Sequence, residues 1–192
     1  MTAANHKRMA KAAGRKGSGR KEKNGSGGER VGGEPRVGRP LMPEMYGIEK
    51  GEKGTMKWAE VCRKLEEARN YWVTTTRADG RPHAMPVWGF WMDGAVLFGT
   101  GRATLKARNL GRLPRAVVHL ESGDDVVILE CEVREADTSD EAFRKRVDQA
   151  SRAKYKMPLM VMPETMLFRA VPKVALAWRE KDFPRSATRF VF

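Results

Sequence analysis

The stretch YWVTTTRADGRPHAMPVWGFWMDGAVLFGT, residues 71–100, decides the fold. Tyr71 to Arg77 is rich in aromatic and β-branched side chains, which suit a half-buried pleated surface. Ala78-Asp79-Gly80 is a hairpin turn signal. His83 to Met92 reads as the returning strand, with Pro86 inside it. Proline has no N–H for a ladder, so Pro86 marks an edge, a bulge or a gap facing a ligand. Asp93-Gly94 turns the chain again, and Ala95 to Thr100 reads as a third strand.

Helices and further strands surround this meander. Trp58, Val61, Cys62, Leu65 and Ala68 recur at three- and four-residue spacing, predicting a helix over about 56–69. Ala103 to Gly111 reads as a short helix stopped by Gly111 and Pro114. Ala116 to Glu121 and Val126 to Arg134 read as strands around a turn at 122–125. A helix at about 139–154 opens on Ser139 or Thr138 as cap, with Ala142, Phe143, Val147 and Ala150 apolar. Residues 166–179 read as one or two strands, and the chain ends at Thr188–Phe192. This order predicts a mainly β fold, an antiparallel barrel with peripheral helices.

The chain has 192 residues and 41% hydrophobic content, enough for one domain with a core. Its net charge of +13 is uneven. Residues 1–40 hold eleven Lys/Arg against three Glu. Residues 1–38 read as a disordered basic tail, too poor in large apolar groups to offset its ordering entropy. The tail suits an electrostatic arm for nucleic acid, a solubilising extension, or an early start codon ahead of Met42, Met45 and Met56. It interleaves no aromatic residue, so base stacking is missing and nucleic acid is not expected as partner. Arg39 to Ile48 reads as an extended arm over the domain or a partner subunit. Cys62 and Cys131 form no metal or redox spacing and read as core residues in a cytoplasmic protein. No stretch is long and apolar enough for a membrane span, so no membrane partner is expected.

The chemistry concentrates at Thr100-Gly101-Arg102-Ala103-Thr104-Leu105-Lys106-Ala107-Arg108-Asn109-Leu110. A strand runs into glycine, and a basic helix opens directly after it. Free N–H groups and a partial positive charge make a helix start an anion site. Thr100 and Thr104 bring hydroxyls, and Lys106 and Arg108 bring charge. Lys106 and Arg108 are two apart and do not share a helix face, whereas Thr104 and Arg108 do. The same residues also suit a solvated basic helix after a hairpin.

Residues 68–89, followed by Lys106-Ala107-Arg108-Asn109-Leu110, resemble the pyridoxamine 5′-phosphate oxidase-like split β-barrel superfamily. More narrowly they resemble its flavin/deazaflavin oxidoreductase-B branch, which includes users of coenzyme F420. The carrying motifs are strand–Asp-Gly-Arg-Pro–strand and Lys-x-Arg-Asn-Leu, with Asp182-Phe183-Pro184 and Thr188–Phe192 also similar. The resemblance covers residues 39–192 and implies a six-stranded antiparallel split β-barrel, FMN-binding-protein-like, that forms a homodimer with cofactor sites at the interface. It implies a phosphate held by Thr104, Lys106 and Arg108, with Thr100 nearby, and Asn109 among the cofactor-binding residues. The strand with His83, Met85, Pro86, Val87 and Trp88 would run along the ring. Gly99 departs from the family, where serine is frequent, which takes away one hydroxyl contact that Thr100 could replace.

Other residues fit less specific roles. His83 is the candidate proton donor or cofactor contact, and a structural polar residue at a strand start is the alternative. Trp88 and Trp178 could line a slot for a flat ring, and Trp91 reads as core or interface. His119 reads as a satisfied core histidine. Asp124 and Asp125 read as a solvated turn, and Glu130 and Glu132 as solvent-facing or paired with arginine. No metal site is expected, and no hydrolase motif occurs.

The functional expectation is a deazaflavin (coenzyme F420) oxidoreductase passing a hydride to an activated C=C or quinone-like small molecule. The alternatives are an FMN enzyme like pyridoxamine 5′-phosphate oxidase, a non-catalytic flavin or deazaflavin carrier, and a nucleic-acid binder driven by the tail. An acidic polyglutamate tail on the deazaflavin would suit the basic groups Arg102, Arg108, Arg112 and Arg115.

Overall fold

Two tight hairpins organise the chain, which the computed structural model describes over residues 34–159 and 164–192. Strands β2 (Asn70–Thr76), β3 (Pro82–Met92) and β4 (Ala95–Gly101) form the meander. Asp93 and Gly94 both have positive φ, 50° and 72°, as the turn between β3 and β4 requires. Helix α1 (Trp58–Glu67) precedes the meander, β1 (Arg36–Gly38) lies upstream, and α2 (Leu105–Arg112) follows it. Next come β5 (Arg115–His119), β6 (Asp125–Glu135), α3 (Glu141–Tyr155), β7 (Thr165–Arg179), α4 (Phe183–Ser186) and β8 (Thr188–Val191).

The six strands β7-β4-β3-β2-β5-β6 close into a barrel through a β6–β7 pairing, and β8 and β1 extend it beyond β7. Every pairing is antiparallel. The long β7 makes this possible. One edge pairs with β6, while the other serves β4 over 165–170 and β8 over 174–177. A register shift at Glu130/Cys131 bends the pair opposite Pro172. Closure leaves few free edges to attract other chains.

Tyr71, Val73, Val96, Phe98, Val118, Leu129 and Phe190 fill the interior. Val61 and Leu65 of α1 join that core. Helix α3 lies outside, where Val147 meets Phe90, Leu97 and Leu167 in a second cluster.

The barrel splits along one seam. Strands β3 and β4 pair only from Gly89↔Phe98 to Met92↔Ala95. Beyond that, Gly99–Gly101 pair with Leu167–Thr165 of β7. Pro82–Trp88 pair only with β2, so among the described residues their other edge has no strand partner. Pro86 lies on this segment, as its missing donor demands.

Several boundaries differ from expectation. Arg36–Gly38, assigned to the tail, pair with Val191–Arg189 of β8, because backbone pairing needs no large side chains. The rest of the expected tail, residues 1–33, lies outside the described residues. Helix α3 is capped by Asp140, not Ser139 or Thr138, because its carboxylate accepts from Ala142 N–H at 2.9 Å. The Ser139 N–H instead donates to Asp137. Gly111 lies inside α2 rather than ending it, and the helix stops before Pro114. Residues 165–179 form one strand. The arm at 39–48 carries a one-turn helix at Glu44–Tyr46. Arg39 pins it by donating to the carbonyls of Gly51, Lys53, Arg185 and Ala187.

Candidate functional site

Helix α2 opens beside the split. Thr104 is its N-cap, accepting from Ala107 N–H at 3.2 Å. Its hydroxyl lies 3.1 Å from that of Thr100, at the end of β4. The two threonines thus stand together at the helix start.

Lys106 is the unusual residue of this region. It is only 7% exposed, and among the described residues its ammonium has no hydrogen bond or ion pair. Burial pushes its pKa below the ordinary lysine value. The Lys106 stem is packed away but its Nζ keeps contact with solvent, so an incoming phosphate can reach it and supply the missing counter-charge. Arg108 is exposed, so the two cations leave α2 on different faces, as their spacing predicts.

Asn109 shares the buried face with Lys106. Its amide donates to the Thr75 hydroxyl at 3.0 Å, and that hydroxyl reaches the His83 carbonyl at 3.4 Å. Asn109 therefore latches α2 to β2 and β3, and its amide is committed to protein. His83 Nδ1 is buried with no partner. An orphaned ring nitrogen on an unpaired strand edge is available to a ligand.

Alternation along β3 sorts the remaining expectations. Val87 is 8% exposed and belongs to the barrel core, so only its backbone faces the split. Met85 and Trp88 are exposed, 46% and 42%, but leave the strand on opposite faces. Trp88 stacks on Tyr155 of α3 with centroids 4.7 Å apart. Trp178 packs edge-on to Phe183 and pairs with Val126, at the far end of β7 from Met166, the partner of Thr100. One chain thus brings together Thr100, Thr104, Lys106, Asn109 and His83, with Met85 and Pro86 beside them, and does not bring Trp178 to them.

Gly99 has a packing reason. An added Cβ would lie 3.3 Å from Leu159 and from Thr165 side-chain atoms. Trp91 packs edge-on to Trp58, and Cys131 is buried while Cys62 is half-buried. His119 is half-buried, its Nδ1 2.8 Å from the Leu120 carbonyl and its ring stacked with Trp72. Asp125 pairs with Lys64, and Glu132 pairs with Lys173, a lysine rather than the expected arginine.

The sequence reading missed two residues here. Thr75 mediates the α2 latch, and its signal was its place directly opposite His83 in the hairpin. Arg77 follows β2, and its Nε is buried without a partner. Arg112 donates to the Thr76 and Arg77 carbonyls at 2.8 and 2.7 Å. Arg77, Arg108 and Arg112 form no ion pair among the described residues, whereas Arg102 lies 3.6 Å from Glu135. The rim near α2 is therefore cationic.

A family model described as pyridoxamine 5′-phosphate oxidase matches residues 58–179. Solved structures share the fold. A conserved hypothetical protein from Mycobacterium tuberculosis is 23% identical with a TM-score of 0.59, over 69% of this chain and 90% of that one. General Stress Protein 26 from Bacillus anthracis is 18% identical with a TM-score of 0.51, over 64% and 94%. A heme binding protein from Mycobacterium smegmatis is 16% identical with a TM-score of 0.50, over 68% and 61%. These identities establish a likeness of fold alone. No curated protein matches the chain in sequence. Among the described residues, no helix is long and apolar enough to cross a membrane.

Proposed function

This chain belongs to the pyridoxamine 5′-phosphate oxidase family, and from that premise we propose that it binds a flavin-type cofactor in the split and reduces a small molecule with it. The carrying observation is the buried, unpartnered Lys106 on the α2 face that is latched to the unpaired edge of β3. Lys106 would hold the phosphate, with Thr100 and Thr104 donating to it. The free edge of Pro82–Trp88 would offer backbone groups to the ring, and His83 Nδ1 would contact it or hold a proton for the product. When bound, the cofactor supplies hydride transfer, and the protein supplies orientation and exclusion of water.

Deazaflavin coenzyme F420 is the first choice and FMN the alternative. The unpaired guanidinium groups of Arg77, Arg108 and Arg112 favour a ligand with a long acidic tail. The acceptor class is an activated C=C or quinone-like molecule, and a second copy of the chain completes the site. A carrier without catalysis is the competing reading. Loading the protein with reduced cofactor and adding quinone or enone acceptors separates the two. The enzyme reading expects oxidation faster than for free cofactor, and equal rates would leave only the carrier.

A further inference from the structure

Outside the split, where α3 crosses the outer face of β3, lies a second group of unneutralised cations. Helix α3 docks there through Gly89. The Tyr155 hydroxyl accepts from Gly89 N–H at 2.8 Å and lies 2.6 Å from the carbonyls of Gly89 and Arg69. An added Cβ at Gly89 would sit 2.6 Å from the Leu97 carbonyl, so glycine is what lets β3 approach β4 closely here.

Lys154 precedes Tyr155 and donates to the Gly89 carbonyl at 2.9 Å. Its ammonium also lies 3.5 Å from the Tyr71 hydroxyl and 5.0 Å above the Tyr71 ring. The Arg69 guanidinium lies 5.8 Å over the Tyr155 ring. Neither cation has an ion pair among the described residues. Burial and the nearby Arg69 push Lys154 down to about 8. Two cations are thus held near one aromatic ring, and among the described residues no carboxylate forms an ion pair with either. The exposed Trp88 indole stacks on that same ring.

We propose that Trp88, Lys154 and Arg69 bind a planar, conjugated carboxylic acid, its ring on the indole and its carboxylate between the two cations. The aromatic surface suits a flat apolar body. Arg69 brings a fork that matches a carboxylate, and Lys154 brings a point charge whose Gly89 contact fixes its position. The carboxylate would supply the balancing charge that the protein lacks here. Trp88 adjoins Gly89, where β3 and β4 begin to part, so the site lies at the mouth of the split. As a substrate assignment, an α,β-unsaturated acid, this rests on the cofactor reading above; as a binding site it does not.

Calorimetric titration of the full chain with trans-cinnamate and with its methyl ester tests the site. The expected result is saturable cinnamate binding, with the ester at least about tenfold weaker, as befits loss of a charged hydrogen-bonded pair. Lys154→Gln and Arg69→Gln should each weaken cinnamate about tenfold and leave the ester and FMN within about twofold. Arg69 is exposed, so its variant reports even where Lys154→Gln loosens α3. Lys106→Met should weaken FMN about thirtyfold and spare cinnamate, which separates failure of this site from failure of the cofactor reading. Equal affinity for acid and ester, unchanged binding in both glutamine variants, or no saturation with cinnamate would overturn the proposal.

Discussion

Two ends of the barrel use the same cations differently. At the far end of β7, Arg179 meets Asp182 at 3.2 Å and Glu60 at 3.1 Å. Lys64 there pairs with Asp125. Near α2, Lys106 is packed in, and among the described residues it, Arg77, Arg108 and Arg112 form no ion pair. Paired cations at a surface stabilise modestly and need no further partner. An unpaired buried cation costs stability and repays it only when an anion arrives. The first end holds the fold together, and the second awaits a ligand.

The contrast breaks most visibly at Lys106. Lys106→Met should weaken FMN or deazaflavin by about 2 kcal/mol, or roughly thirtyfold, because it removes a charged phosphate contact. The same change should leave the melting temperature unchanged or raised, since it removes an uncompensated buried charge. A fluorescence titration paired with a melting curve reads both. A lower melting temperature with intact cofactor affinity would make Lys106 structural.

Thr104→Ala should cost about 1 kcal/mol of stability through the lost cap and also weaken the phosphate ligand, while Thr104→Ser restores both. At the opposite end, Arg179→Met should cost under about 1 kcal/mol in denaturant unfolding and leave cofactor affinity untouched. A shift in affinity there would erase the distinction between the two ends.

The smallest effects are pH-dependent and opposite in sign. The Arg179 guanidinium holds the Asp182 carboxyl below its usual value. Its stabilisation is therefore present above the unfolded carboxylate pKa and is lost as pH falls through the lower folded value. Lys154 is depressed from 10.5 to about 8, so between those values the unfolded chain binds more protons than the folded one. Stability from this group therefore rises with pH across that window. Burial raises the Tyr71 pKa, so above pH 10 the folded chain binds more protons and stability falls. Melting curves from about pH 2 to 11 should show the acid loss shrink in Asp182→Asn and the alkaline rise shrink in Lys154→Gln.

The hairpins were legible in the sequence because their turn residues and strand patterns are local. Asp93-Gly94 and Ala78-Asp79-Gly80 announce themselves without knowledge of the rest. The split was not legible, because it arises where β4 leaves β3 for β7, a choice of register between distant segments. The α2 anchor was half legible. Spacing separates Lys106 from Arg108, but only packing reveals which one is buried. Asn109 carries the family pattern, yet its amide serves Thr75, a contact across the fold that spacing does not encode. Trp178 has the right chemistry for a ring slot, and within one chain it lies at the end of β7 away from Thr100, a placement that spacing does not encode. Lys154 and Tyr155 escaped notice because they end a helix far in sequence from the strand they dock on.

The central claim is that the charge missing around Lys106 is supplied by the phosphate of a flavin-type cofactor. A fluorescence titration of the purified chain with FMN and with the deazaflavin coenzyme tests it most directly. The account predicts saturable binding of at least one of them below about 100 μM, roughly −5.5 kcal/mol. Failure of both to bind below that concentration would contradict it.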